Sequence, residues 1–353
     1  MEATGVVTRV GSSVRVSRGE GIQLAVIAAL LVFVLVGLPQ LLSLFWIDTS
    51  TSAVVYAVAA LGVGLLVGRV GMVSLGQVAV LALGAWVGAK FCLSTSLPYP
   101  IVLLMSGLIT MVLGVLIGLP ALRVSGLYLA LVTLMLAGAI TVVLTVTNFP
   151  NGGKGFLGYD ENYPGTIRRP SIATSDPAFF RYSVIVAVVM FALVVWHLRS
   201  KPGRAWAAIR QSEPAALTAG VNVTLYKIWA FALASFVTGV AGGLLGSGAG
   251  KLYTFQFPTS QSVILFAVVL MGGIYTVWGA VLAGVLLWVL PALFTIWGID
   301  SQLPTILFGI GVLQVLTTAP AGIAYQFPRD MAKLGKLLYR LVRRFTPSAS
   351  GAS

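Results

Sequence analysis

The sequence predicts an all-α polytopic integral membrane protein with about ten transmembrane helices, although eight or nine would also fit the pattern. Hydrophobic residues make up 58% of the 353 residues and charged residues only 9%, and the mean hydropathy is +0.99. Soluble proteins carry about 25% charged residues, so this composition cannot cover a water-facing surface. Apolar stretches long enough to cross a bilayer, about 20 residues each, recur along the chain.

Ten such stretches are separated by turn residues. The predicted spans are 22–46, 52–68, 73–92, 100–118, 125–146, 182–198, 227–248, 260–277, 279–297 and 303–319. The 73–92 segment is rich in glycine, which makes it a candidate for a broken or re-entrant helix. Three arginines precede the first span as in a signal peptide, but no A-x-A-like site closes it, so we expect an uncleaved first helix.

The charge distribution predicts the orientation. With ten spans and a cytoplasmic N-terminus, the inside holds 16 Lys and Arg against 4 acids, and the outside holds 6 against 5. Cytoplasmic loops of membrane proteins carry such a basic excess. We therefore expect a cytoplasmic tail over 1–21, a membrane domain over 22–320 and a basic cytoplasmic tail over 321–353. No basic helix with interleaved aromatics indicates nucleic-acid binding.

Two hydrophilic segments interrupt the apolar pattern. The external loop 148–181, with Asn148, Asn151 and Gly152 near its start, is long enough to touch an extracytoplasmic partner. The internal loop 199–226 predicts a helix over 204–211, a second helix capped by Ser212 or Glu213, and a left-handed end at Gly220. Its residues predict a small exposed face with a charged rim, formed by Ala215, Ala216, Ala219, Arg204, Arg210 and Glu213. This helical hairpin suits either docking of a soluble partner or a simple connector.

The predicted spans contain almost no fixed charge. Carboxylates inside spans mark proton- or sodium-driven carriers, and the predicted spans hold none. Six uncharged polar residues are candidates for a translocation path, with interhelical or local hydrogen bonds as their alternative role: Ser74, Gln77, Thr133, Thr141, Ser235 and Thr238. Repeated G-x-x-x-G spacing predicts tight helix packing.

Chemistry on the chain itself is not expected. The single cysteine, Cys92, excludes an intrachain disulfide, and the single histidine, His197, has no catalytic or metal-binding motif around it. The segment from Gly246 to Lys251 approaches a P-loop, but Leu252 stands where Ser or Thr is required. We expect a non-catalytic protein without a metal or bound cofactor.

Five segments in order along the chain resemble one family. Residues 203–222, 71–77 (Gly-Met-Val-Ser-Leu-Gly-Gln), 118–130, 147–152 and 271–284 are similar to segments of branched-chain amino acid ABC transporter permeases of the LivM type. Tyr275 and Trp278 replace smaller residues of the family pattern, and Lys154 adds a charge to the external loop.

The resemblance implies a division of labour in a bacterial inner membrane. It implies a second permease of the LivH type or a second copy, two ATPase subunits that hold ATP and Mg, and an extracytoplasmic binding protein, all embedded in or next to membrane lipid. The internal hairpin would then couple to the ATPases. The implied substrates are branched-chain amino acids, although similar permeases carry urea, short amides or other amino acids. A secondary carrier or a channel is the alternative.

Overall fold

The computed structural model of the protein describes residues 26–121, 126–154, 158–162, 165–300, 303–318 and 322–324. The predicted tail 1–21 and nearly all of the predicted tail 321–353 lie outside these residues, so both stay predictions. All regular secondary structure in the described part is helical, which confirms the all-α fold. It divides into two units, one up to Ser43 and one from Leu44 onward.

The first unit contains one apolar helix, α1, over Val26–Leu41. Its middle turns, Phe33–Gly37, are π-helical. Pro39 follows directly, within a short final α-helical stretch over Leu38–Leu41. The helix ends at Leu41, five residues before the end of the predicted 22–46 span.

The second unit contains the remaining helices. They are α2 (Leu44–Gly64, continued as a π-helix over Leu65–Val70), α3 (Gln77–Ser94), α4 (Tyr99–Ala121), α5 (Leu127–Thr147), α6 (Asp176–Arg199), α7 (Lys201–Gln211), α8 (Glu213–Thr218), α9 (Val223–Ala249), α10 (Thr259–Gly272), α11 (Val277–Ile296) and α12 (Leu303–Thr318). Within the described residues, eight helices are long and apolar enough to cross a membrane, and α1 and α12 are shorter apolar helices. This agrees with the predicted count.

The start of α2 corrects two predictions. The polar run from Asp48 was assigned to a loop before a span at 52, yet the helix already begins at Leu44. The run stays helical because the Thr49 hydroxyl donates to Phe45 O at 2.9 Å and the Thr51 hydroxyl to Ile47 O at 2.8 Å, which satisfies both hydroxyls on the helix itself. Asp48 therefore lies inside a span, near its end.

A second carboxylate also lies at a span end. Helix α6 begins at Asp176, six residues before the predicted start, with Pro177 in its first turn. Proline is well suited to that position because it lacks the backbone donor that would go unpaired there. Asp176 pairs with Arg169 at 2.5 Å. The expectation of spans without carboxylates is thus wrong at two helix ends.

Helix α9 lies at the centre of the second unit and packs against α2, α3 and α4. Glycines permit the contact: a Cβ on Gly84 would come within 2.5 Å of Gly239 O, and one on Gly88 within 2.9 Å of the Gly243 Cα. The Ser106 hydroxyl from α4 donates to Gly84 O at 2.6 Å and Gly239 O at 2.9 Å. The predicted tight packing is confirmed at these glycines.

Candidate coupling hairpin and buried polar cluster

The internal hairpin consists of α7 and α8 and ends at Asn222. The Ser212 hydroxyl accepts a bond from Ala215 N at 3.3 Å, which caps α8 as predicted. Gly220 has a φ of +80°, a left-handed conformation that glycine adopts without strain. The Asn222 side chain then accepts from Leu225 N at 3.0 Å and caps α9. Helix α7 begins at Lys201, three residues before the predicted start.

The hairpin is fastened to the membrane helices through its own side chains. Trp206 is fully buried, and its indole N–H donates to Tyr226 O at 2.8 Å. Lys227 at the start of α9 pairs with Glu213 of α8 at 2.6 Å. Because α7 and α8 are both tied to α9, displacement of the hairpin has to displace α9 as well.

Arg210 is exposed, and its guanidinium also bonds to the bundle. Its guanidinium donates to Gly68 O at 2.5 Å and lies 4.3 Å from the centre of the Tyr275 ring. Gly68 belongs to the π-helical end of α2, and Arg69 from the same turn donates to Tyr275 O at 2.8 Å. Arg210 thus bonds to the bundle while it remains exposed, and its predicted docking role stays a prediction.

The exposed face of the hairpin differs from the prediction at two residues. Ala216 is buried against the bundle and does not belong to it. Ala215 and Ala219 are exposed, as predicted, and Leu217 is exposed between them. Arg204 is exposed at the edge. Sequence reasoning missed Leu217 because a leucine in a short helix between two spans is equally typical of a buried contact.

Helix α3 is separated from α2 by an irregular segment, whereas the helix itself is unbroken over Gln77–Ser94. Residues 71–76 have no regular secondary structure, and α3 starts only at Gln77. Leu75 N donates to the Thr133 hydroxyl at 2.9 Å, and the Thr238 hydroxyl donates to the Gln77 side-chain carbonyl at 3.0 Å. Irregular backbone inside a membrane protein is tolerated where neighbouring helices or water satisfy its polar groups.

Five of the six candidate path residues lie close to this break. Ser74, Gln77 and Thr133 line one small cavity together with Gly114, and Ser235 packs directly on Gly114. Thr238 joins them through its bond to Gln77. The cavity measures about 20 Å³, the space for one or two water molecules. Thr141 is elsewhere, at the wall of a cavity under the external loop.

Asn151 connects two parts of the external loop by hydrogen bonds. Its side-chain carbonyl accepts from Gly153 N at 3.2 Å and from Asp160 N at 3.0 Å, and its amide donates to Asp160 O at 2.5 Å. The backbone N–H of Gly152 also donates to Gly158 O at 3.1 Å. Asn148 has a φ of +54°, the one positive value outside glycine in the described chain, and its carbonyl accepts from Trp86. These three predicted residues are therefore part of the loop's internal scaffold.

Two larger cavities open near the opposite end of the unit from the hairpin. One of about 590 Å³ lies under the external loop, between Thr141, Asn148 and Lys251. The other, of about 320 Å³, lies between α2, α9, α10 and α11, with Asp48, Gln261 and Trp288 among its lining. No group of three or more His, Cys, Asp or Glu that could hold a metal occurs in the described residues.

Sequence reasoning missed the residues that receive the hairpin and those that fix the external loop to α9. Tyr275 was noted only as a departure from the family pattern. Arg169 donates to Ser247 O at 3.4 Å and Gly248 O at 3.2 Å, in the last turn of α9, where cations are favoured by the helix dipole. A basic residue shortly before a helix start is the only local signal, and it does not identify the partner.

Comparisons with known proteins agree with this architecture. Residues 45–316 match the family described as "Branched-chain amino acid transport system / permease component". The chain is 31% identical over 281 residues to the "High-affinity branched-chain amino acid transport system permease protein LivM" of Salmonella typhimurium, covering 73% of this chain and 65% of that protein. It is 30% identical over 285 residues to the LivM protein of Escherichia coli, covering 74% and 66%.

A more distant similarity connects the chain to a second permease. It is 25% identical over 171 residues to the LivH permease protein of Escherichia coli, covering 48% of this chain and 52% of that protein. No solved structure matches the chain. The alignment thus spans about two thirds of the length of the LivM relatives and about half of the LivH relative.

Proposed function

The chain belongs to the family of permease components of branched-chain amino acid transport systems, and from this premise we propose that it is the membrane-spanning permease subunit of an ATP-driven importer. It is a multi-pass membrane protein. The observation that carries the proposal is the hairpin, which presents Ala215, Leu217 and Ala219 to its surroundings while it is bonded to the end of α2 and the start of α9. A surface of this kind can receive force from a soluble protein and pass it to the membrane helices.

The proposed route of that force runs through Arg210. When a partner moves α7, the guanidinium pulls on Gly68 O and on the Tyr275 ring. Gly68 lies in the π-helical end of α2, and Tyr275 lies in the turn that joins α10 to α11. Lys227 and Tyr226 transmit the same displacement to α9. A rigid displacement of α2, α9 and the α10–α11 turn would change which side of the membrane the path opens to.

ATP hydrolysis would take place on partner proteins. The proposed assembly is this permease, a second permease similar to LivH, two ATPase subunits that bind ATP and Mg, and an extracytoplasmic binding protein. The permease itself would be non-catalytic. The proposed location is the bacterial inner membrane, with both termini and the hairpin on the cytoplasmic side, which the basic excess there supports.

Branched-chain amino acids are the proposed substrates, because the family and the LivM relatives carry that description. The external loop would receive the binding protein. The hydrogen-bonded scaffold around Asn151 supports this docking role, because an ordered surface loses little conformational entropy when a partner binds.

Reconstitution tests the proposed function. The chain, its second permease and the ATPases are placed in proteoliposomes with the binding protein and radiolabelled leucine. We expect uptake against a gradient that requires ATP and stops when the ATPases carry an inactivating substitution. Uptake driven by a proton or sodium gradient without ATP would favour a secondary carrier and contradict the proposal.

A further inference from the structure

Helix α3 begins in the interior of the bundle. Its first residue, Gln77, is bonded to Thr238, which lies 15 residues into the 27-residue helix α9. At about 1.5 Å per residue this is roughly 22 Å along a helix of about 40 Å. The N-terminus of an 18-residue helix therefore lies about midway through the membrane-spanning part of the second unit.

A helix N-terminus at this depth is a site of positive potential. The first backbone N–H groups of a helix have no partner within it, and the aligned peptide dipoles add about half a positive charge there. Within the described chain, no side chain caps α3 at Gly76. The preceding N–H, that of Leu75, is already used by Thr133.

The Gln77 side chain independently indicates a ligand. Gln77 is only 2% exposed, and its amide nitrogen has no hydrogen-bond acceptor among the described residues. A buried donor without a partner is unfavourable, and an acceptor atom of a ligand in the cavity would satisfy it. Its side chain lines the same small cavity as Ser74 and Thr133.

The remaining wall of the cavity is apolar. It includes Leu136, Ile140 and Phe231, together with Gly114 and Gly118, and Gly118 packs on the Phe231 ring. The cavity lining therefore combines an amide and hydroxyls with aliphatic and aromatic surface. Its 20 Å³ accommodates one or two oxygen atoms in the present conformation, and a larger ligand requires the walls to separate.

We propose that the N-terminus of α3 and the Gln77 amide form the subsite that binds the carboxylate of the transported amino acid, with its side chain against Ile140 and Phe231. This inference rests on the proposed function. The two carboxylate oxygens take the positions available to water, and accept bonds from the free backbone N–H groups and the Gln77 nitrogen. The recognition needs no basic side chain, because the dipole and the neutral donors supply the positive potential. A small inorganic anion shares this chemistry.

The test uses the assembled transporter without its binding protein, in lipid nanodiscs, so that the binding protein's own selectivity does not enter. Calorimetric titrations are run with leucine, with leucinamide, which lacks the carboxylate, and with chloride. We expect leucine to bind at least ten-fold more tightly than leucinamide. Chloride is expected to compete weakly with leucine and not with leucinamide.

Two substitutions by side chains of similar size test the role of Gln77. Gln77→Met removes the donor and Gln77→Glu adds a negative charge, and in both the preference for leucine over leucinamide should fall at least ten-fold. Gln261→Met, at the wall of the separate 320 Å³ cavity, should keep it. Unchanged melting temperature shows that each variant folds; if Gln77→Met fails this check, Gln77→Glu decides.

The inference is overturned if the wild type prefers leucinamide or neither ligand, or if the preference for leucine survives both substitutions at Gln77. Chloride binding as tight as that of leucine would show an inorganic anion site and overturn it as well. ATP-dependent leucine uptake by the wild type, measured separately, decides the proposed function. If the transporter takes up leucine but shows no preference for leucine in these titrations, only the proposed carboxylate subsite is overturned.

Discussion

At the scale of single residues, the contacts of Arg210 differ most from what the sequence predicts. An arginine in a short polar loop is usually solvated, and nothing local indicates that Gly68, 142 residues earlier, offers a carbonyl. That carbonyl is accessible because the end of α2 is π-helical and closes at Gly71, whose φ is +83°. The cation–aromatic contact with Tyr275 adds about 0.5–2 kcal/mol to the bond.

Replacement of Arg210 by Gln should uncouple the transporter. The glutamine cannot reach Gly68 O and does not stack on Tyr275 as a cation, so the bond between α7 and the end of α2 is lost. We expect leucine uptake per ATP hydrolysed to fall about ten-fold, with ATPase activity retained. The measurement is simultaneous uptake and phosphate release in proteoliposomes.

The ring of Tyr275 provides the matched pair for this experiment. Tyr275→Phe keeps an aromatic face under the guanidinium and should transport almost normally. Tyr275→Leu removes the face and should resemble Arg210→Gln. Equal coupling in both variants would show that the ring makes no contribution to force transmission.

At the scale of elements, the sequence predicted which helices exist better than it predicted where each helix begins and ends. The apolar runs identified every long helix, because about 20 apolar residues leave few other structures available. The starts of α2 and α6 were missed because Thr49, Thr51 and Asp176 are polar residues that a helix end can satisfy through its own carbonyls or an external arginine. The hairpin's caps at Ser212 and Asn222 were predictable, since capping is a local interaction.

The candidate site was predicted only in part. Ser74, Gln77, Thr133, Ser235 and Thr238 were identified by being polar in apolar spans, and they do lie near one another. Thr141 has the same composition signal, but it lies about one helical turn beyond Ala137 and contacts Thr259 instead. Polarity alone does not distinguish Thr141 from the other five residues, because the depth of a residue along its helix and the direction of its side chain depend on how α5 packs.

Packing between α3 and α9 should be sensitive to a single methyl group. A Cβ on Gly242 would overlap Leu81 O and lie 2.6 Å from Ala85 N, so Gly242→Ala has to push two helices apart. We expect a loss of about 1–3 kcal/mol, seen as a lower melting temperature in detergent. Gly138→Ala is the control, since a Cβ there meets no atom within 4 Å in the described structure.

The ion pair between α8 and α9 predicts that a double charge reversal restores transport. Glu213→Lys places two cations together at the site of the 2.6 Å pair with Lys227 and should reduce coupled uptake. Combining it with Lys227→Glu restores opposite charges in reversed order and should recover most of the loss. The expected change in unfolding free energy is at most about 1 kcal/mol because Glu213 is exposed. Failure of the double substitution to recover uptake would assign Glu213 to a partner's surface instead.

At the scale of the whole molecule, the described spans offer little to an ion gradient. Their carboxylates Asp48 and Asp176 lie at helix ends, and Asp176 is already paired with Arg169. We therefore expect the purified chain alone, in liposomes under an imposed proton or sodium gradient, to accumulate no leucine. The measurement is radiolabel retained inside the vesicles, with the complete transporter and ATP as the positive control.

The break before Gln77 also has a consequence for biosynthesis. Gln77 obtains its hydrogen bond from Thr238, which emerges from the ribosome 161 residues later. At about 5–20 residues per second, α3 has to wait roughly 8 to 30 s in the lipid before its partner helix exists. Chains truncated before α9 should consequently be targets of membrane quality-control proteases, although every span they contain is already inserted.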